Sequence, residues 1–146
     1  MPNYERWVLL NCPFDDSFAP LLHAAVLTIS ALGFTPHSAR ETEGEWDPRI
    51  DRIARGLRPS KYSIRDLSRF QGEGGPDNIS SFNTPLELGM ALSLRCQGKA
   101  SGAPHNLVAL VPAGFVYQKF ISDLAGFDPP PHEQALPASY GQLPRG

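Results

Sequence analysis

Two carboxylates stand out among the residues that could do chemistry. Glu87 lies in Asn83-Thr84-Pro85-Leu86-Glu87-Leu88-Gly89, which reads as a helix start with its acid aimed back at its own first turn. Asp66 stands at the end of the alternating segment Lys61-Tyr62-Ser63-Ile64-Arg65, just before Leu67-Ser68. A third polar segment, Asn11-Cys12-Pro13-Phe14-Asp15-Asp16, follows Trp7-Val8-Leu9-Leu10. A carboxylate at a helix start can attack an anomeric carbon. It can also stabilise the oxocarbenium-like charge that grows as an N-glycosidic bond breaks. Asp66 can hold ribose hydroxyls or a protonating base. Convergence of these three polar ends would make a pocket for a small polar ligand.

Each candidate also has a plainer reading. Thr84-Pro85-Leu86-Glu87 satisfies the capping-box pattern, with Thr84 as N-cap, proline at N1 and the acid at N3. Such a box stabilises a helix by about 1 kcal/mol, and its hydrogen bond could orient the carboxylate as well. Asp66 fits a turn or cap residue. Asp15 and Asp16 fit an ordinary helix-entry loop, and Asn11 could bridge that turn or donate to a ligand oxygen. Arg49, Arg52 and Arg55 recur at a spacing of three, roughly opposite Ile50, Ile53 and Leu57, as a solvated helix face would. Arg65 and Arg69 flank Asp66 and suit bidentate contact with a phosphate.

Several chemistries lack their residues. A phosphatase loop built on Cys12 needs an arginine six residues on, and that position is Phe18. Walker and GxGxxG phosphate loops are missing. His23, His37, His105 and His132 have none of the short spacings of metal ligands, so no metal site is expected.

The elements that must position these residues alternate. Trp7–Leu10 reads as a strand buried on both faces. Leu22, Ala25, Val26, Ile29 and Leu32 have helical spacing, with Gly33 at the C′ position. Phe34–Ala39 is a second strand near an edge, because Pro36 cannot donate to a ladder. Asp47-Pro48 starts a second helix whose buried stripe is Ile50, Ile53, Ala54 and Leu57, stopped by Pro59. Lys61–Leu67 is a third strand, with Tyr62 and Ile64 on one face. A glycine-rich loop over 68–82 precedes a helix from about Thr84 to Arg95. A fourth strand at Asn106–Val111 and a helix over Val116–Leu124 complete a domain over 1–126. Residues 127–146 read as a proline-rich tail.

This pattern predicts a single α/β domain, a flavodoxin-like three-layer sandwich with a mostly parallel sheet in the order 2-1-3-4. Ligands in such sheets bind beyond the carboxyl ends of the strands, where the winding reverses. Here that is the crevice between Asn11–Asp16 and Asp66–Arg69. The bulk numbers agree with one soluble domain: 146 residues, 41% hydrophobic, 19% charged, net charge −2. That balance argues against a nucleic-acid groove or an anionic membrane as partner. No apolar run reaches the roughly 18 residues of a spanning helix. With no signal-like amino end and only Cys12 and Cys96, a cytoplasmic protein is expected.

The same residues carry a family resemblance. Val8–Phe14, Tyr62–Ser68 and Asn83–Leu92 resemble the nucleoside 2-deoxyribosyltransferase-like and TIR-like superfamily. From its threonine onward, the Glu87 segment matches the Gly-Thr-x-x-Glu-Leu-Gly helix start that supplies the catalytic glutamate of the deoxyribosyltransferases. Asn83 replaces the glycine, and Ser81 stands where those enzymes often have an aspartate. The chain is more similar to uncharacterised bacterial TIR-like proteins, through Asn11–Asp15, Tyr62–Arg69, Asn83–Gly89 and Tyr117–Gly126. The likeness spans about residues 7–126. Such proteins usually continue into another helical segment where this chain runs into prolines.

The resemblance implies a flavodoxin-like fold and a nucleotide or nucleoside ligand. Glu87 and Asp66 would be the catalytic pair. Asn11, Pro13, Phe14, Asp15, Arg65, Ser68, Arg69, Asn83 and Thr84 would form the substrate site, with Arg65 or Arg69 on a phosphate. It implies an N-glycosidase of NAD or another nucleotide, as in TIR relatives that act in bacterial defence, with no separate cofactor and with a homo-oligomer as the active form. The alternative is a binding module of the same fold that senses a nucleotide without cutting it.

Overall fold

The computed structural model describes residues 4–38, 48–68, 83–101, 103–114, 117–119, 121–124 and 126–132. Its parallel strands are β1 (Trp7–Asn11), β2 (Thr35–Ser38), β3 (Tyr62–Asp66), β4 (Asn106–Pro112) and β5 (Pro131–His132), ordered β2-β1-β3-β4-β5. Three helices connect them: α1 (Ala19–Ala31), α2 (Arg49–Leu57) and α3 (Asn83–Ser101). This is the flavodoxin-like arrangement, with β1 and β3 central and Pro36 on the edge strand β2.

Alternation along the strands builds two cores. Val8, Leu10, Tyr62 and Ile64 face α1, where they pack with Leu22, Val26 and Ile29. Leu9, Leu107, Ala109 and Val111 face the other side, against Ile53 and Leu57 of α2 and Leu88 and Ala91 of α3. α2 approaches the sheet closely at Gly56, where an added Cβ would lie 3.2 Å from Leu9 Cδ1. Helix α1 ends in a Schellman motif: the Phe34 amide donates to Ile29 O, the Gly33 amide to Ser30 O, and Gly33 takes φ +81°.

Four expectations need correction. Ile50 is 42% exposed, so the α2 stripe narrows to Ile53, Gly56 and Leu57. Leu32 is 70% exposed. It borders an apolar hollow of about 230 Å³ over β3 and β4, with Phe34, Tyr62, Ile64 and Val108. In the segment expected as a final helix, the described residues form two short 3-10 turns, Tyr117–Lys119 and Ser122–Leu124. The fifth strand explains this. β5 pairs only with the last residues of β4, Val111 and Pro112, so the crossover has little distance to cover. The body of the domain therefore extends past residue 126, through His132. The N-cap expected at Asp47, the loop over 69–82 and the tail beyond His132 lie outside the described residues. No helix among those described is long and apolar enough to cross a membrane.

At the amino ends of the strands, buried polar groups satisfy one another. His105 Nδ1 lies 2.8 Å from Ser60 O, which makes it the protonated nitrogen. His105 Nε2 then accepts from Ser63 Oγ at 2.8 Å. Ser60 Oγ donates to Gly56 O at 2.7 Å and receives His37 Nε2 at 2.6 Å. These histidines are core residues that replace lost water contacts.

Candidate functional site

The carboxyl ends of β1 and β3 sit side by side, with Asn11 paired to Arg65 in register. Both side chains point to the α2/α3 face, and Glu87 comes down on them from the first turn of α3. Helix α3 begins at Asn83. Thr84 therefore lies inside the helix, one residue past the start expected for a capping box. The recorded hydrogen bond of the Glu87 carboxylate runs instead to the sheet: Asn11 Nδ2 donates to Oε2.

Two guanidiniums complete the cluster. Arg65 Nη1 is 3.8 Å from Glu87 Oε2, and Arg49 Nε is 3.5 Å from Oε1. Arg65 is 0% exposed, and none of its three guanidinium nitrogens has a hydrogen-bond acceptor among the described residues. Burial lowers its pKa to about 10, with Glu87 and Cys12 opposing the shift. This buried cation stands beneath the carboxylate, and does not take the surface position from which it would meet an external phosphate. Arg49, expected on a solvated face, is 67% exposed yet reaches Glu87 from the first residue of α2. Its role was not legible from spacing, because contact between the first turns of α2 and α3 depends on how both helices dock on the sheet.

Asp66 belongs to a different network. Alternation sends it to the α1 face, opposite Arg65, where it is 2% exposed. Its Oδ1 accepts from the Ser68 amide at 2.9 Å and from the Ser68 hydroxyl. Its Oδ2 is 2.8 Å from His132 Nε2 of β5, and His132 packs edge-on against Phe18 at 6.0 Å. Among the described residues, no hydrogen bond or ion pair joins Asp66 to Glu87. The expected catalytic pair is thus two carboxylates on opposite faces of one sheet end. His132 could not be found from sequence, because its only signal was a histidine in a proline-rich stretch.

The remaining candidates border this sheet end. Pro13 is half-buried and Phe14 38% exposed. Asp15 Oδ1 accepts from the Ser17 amide at 3.1 Å, the Ser17 hydroxyl and the Phe18 amide at 3.2 Å, which makes it the entry residue of α1. Asn83 is exposed and Thr84 half-buried at the start of α3. Arg69 lies outside the described residues. Cys12, buried next to Asp66, has its thiol pushed up to about 12, first by burial and then by the Asp66 charge. It is therefore no thiolate nucleophile near neutral pH.

Among the described residues no cluster of three or more His, Cys, Asp or Glu could hold a metal ion. Cavities elsewhere among the described residues include the apolar hollow already described, one of about 430 Å³ at the amino ends of the strands, lined by Tyr4, Leu57, Ser60, Gln97 and His105, and one of about 250 Å³ between α2 and α3, lined by Ala54, Leu57, Arg58, Met90 and Leu94. None of these contains the convergent charge found at Glu87, which makes the Glu87 cluster the stronger candidate. In comparisons with known proteins, no family model, no curated protein and no solved structure matches the chain.

Proposed function

We propose that this chain is an N-glycosyl hydrolase or transferase acting on a nucleotide or nucleoside, with Glu87 working at the anomeric carbon. The observation in its favour is Glu87 itself. It is a carboxylate 4% exposed at the carboxyl end of a parallel sheet, held by Asn11 and set between Arg49 and Arg65. Such a position suits a group that must meet developing positive charge without reorganising.

In the proposed step a Glu87 oxygen bonds to the anomeric carbon as the bond to the base nitrogen breaks. The electron pair leaves with the base, which takes a proton from water unless it departs from a cationic ring such as nicotinamide. Water then attacks the same carbon, gives up a proton, and releases the sugar and the free carboxylate. A second base in place of water gives transfer. Asn11 orients the carboxylate, and Asp66 positions the chain after β3 through Ser68. NAD as substrate, a defence role and self-assembly are part of this proposal on the strength of the resemblance, and a cytoplasmic setting on the strength of the amino-end and cysteine reading.

One observation favours binding without turnover: Glu87 is already engaged from three sides, and Asp66 is tied elsewhere. The two readings separate chromatographically. Dilute and concentrated protein is incubated with NAD, NADP, nucleosides and deoxynucleotides, beside Glu87→Gln. Free base from wild type alone supports the enzyme. Saturable binding without product, equal in both proteins, assigns a sensor module.

A further inference from the structure

Glu87 supplies one negative charge to a cluster that holds two guanidiniums. Arg65 is sealed in the interior and cannot leave. Arg49 is mostly in water, with its Nε 3.5 Å from Glu87 Oε1. Neither arginine makes a second ion pair among the described residues. Asp66, the nearest other acid along β3, is turned to the opposite face and engaged by His132. Among the described residues the cluster therefore carries a surplus positive charge at a polar sheet end. The three buried guanidinium nitrogens of Arg65 have no hydrogen-bond acceptor among the described residues, so this cation is held against Glu87 by charge alone. Arg52, one turn along α2, also has its Nε buried with no acceptor among the described residues.

We infer that Arg49 is a specificity-determining residue that reads an anionic group on the ligand, so that the crevice selects a phosphorylated sugar over the same sugar without phosphate. The inference deepens the proposed function and rests on the same site, but it concerns binding and does not need turnover. Arg65 neutralises Glu87 from beneath. That leaves the exposed Arg49 fork, planar and permanently charged, for the incoming oxyanion.

The test is calorimetric titration of the full chain with the common nucleoside 5′-monophosphates, the matching nucleosides and inorganic phosphate. Wild type is compared with Arg49→Ala, Arg49→Lys and Arg58→Ala, the last removing a charge at the far end of α2. At least one monophosphate is expected to bind wild type more tightly than either its nucleoside or inorganic phosphate. Arg49→Ala should weaken that monophosphate on the order of tenfold, with partial recovery in Arg49→Lys, no change in Arg58→Ala and a clearly smaller loss for the nucleoside. Each of these binding results overturns the inference: no monophosphate binds wild type, Arg49→Ala leaves monophosphate affinity unchanged, Arg49→Ala weakens nucleoside and monophosphate alike, or inorganic phosphate binds as tightly as the nucleotide. Failure of the glycosidase reading looks different. There, Arg49-dependent binding persists and no base is released. Conversely, equal base release from nucleosides and monophosphates removes the inference and leaves the enzyme.

Discussion

Asn11, the last residue of β1, donates its side-chain amide to Oε2 of Glu87, 76 residues further along the chain. The contact fastens the first turn of α3 to the centre of the sheet and sets the direction of the carboxylate. Asn11→Ala should therefore cost about 1.5–3 kcal/mol of stability, the range for a lost hydrogen bond to a charged group. Asn11→Asp should cost more, because it opposes two carboxylates. Urea unfolding checks both, as a lower midpoint at unchanged slope. A midpoint equal to wild type in Asn11→Asp would contradict the contact.

Arg65 and Glu87 should behave as a coupled pair. Arg65→Met removes the buried cation but leaves its carboxylate nearly out of water, at a cost of about 3 kcal/mol. Adding Glu87→Gln should return part of that loss, so the double variant is more stable than the sum of the single effects by about 1 kcal/mol. Strict additivity in the double-mutant cycle would show that the two groups do not sense each other.

The fold was legible because each element carries its own signal. The buried run Trp7–Leu10, the Gly33 C′ residue and the edge proline Pro36 all report local physics, and the strand order follows from alternation and handedness. β5 was not legible, since Pro131 and His132 become a strand only by docking on Val111 and Pro112. The site was half legible. Asn11 and Glu87 do meet, as strand-end and helix-start residues beside one crevice should. Where Asp66 lies relative to Glu87 follows from Arg65 and Asp66 being neighbours on one strand, which must face opposite ways. Arg49 was assigned to solvent from its spacing alone, which carries no information about what lies beyond the helix end.

The two cysteines should differ in reactivity. At pH 8 a disulfide reagent should titrate the exposed Cys96 and spare Cys12 until the protein unfolds. The sign of the linked pH effect follows. Cys12 is raised from 9.0 to about 12, so its folded form keeps a proton that the unfolded chain gives up. Its contribution to stability is complete below pH 9 and lost as pH climbs toward 12. Equal labelling rates for both thiols in native protein would contradict this burial.

His105 gives the opposite pH dependence. Burial, with a smaller push from Arg65, lowers its pKa below the usual 6.5, and the Ser60 carbonyl only partly offsets this. Below pH 6.5 the unfolded chain therefore binds a proton that the folded chain refuses. The stability from a neutral His105 is full above pH 6.5 and is lost as pH falls through its folded value. Unfolding free energies between pH 5 and 7 should show this slope in wild type and a shallower one in His105→Gln. An equal slope in both would assign it to other groups.

Glu87 is the residue on which the proposed chemistry depends, and Glu87→Gln keeps its size while removing its charge. The decisive quantity is the rate of free-base release by wild type and Glu87→Gln on the same nucleotide, with a cooperative unfolding transition above the assay temperature establishing that each is folded. We expect release by wild type and a loss of at least about a hundredfold in the variant. Base release by Glu87→Gln at the wild-type rate would contradict a role for this carboxylate at the anomeric carbon.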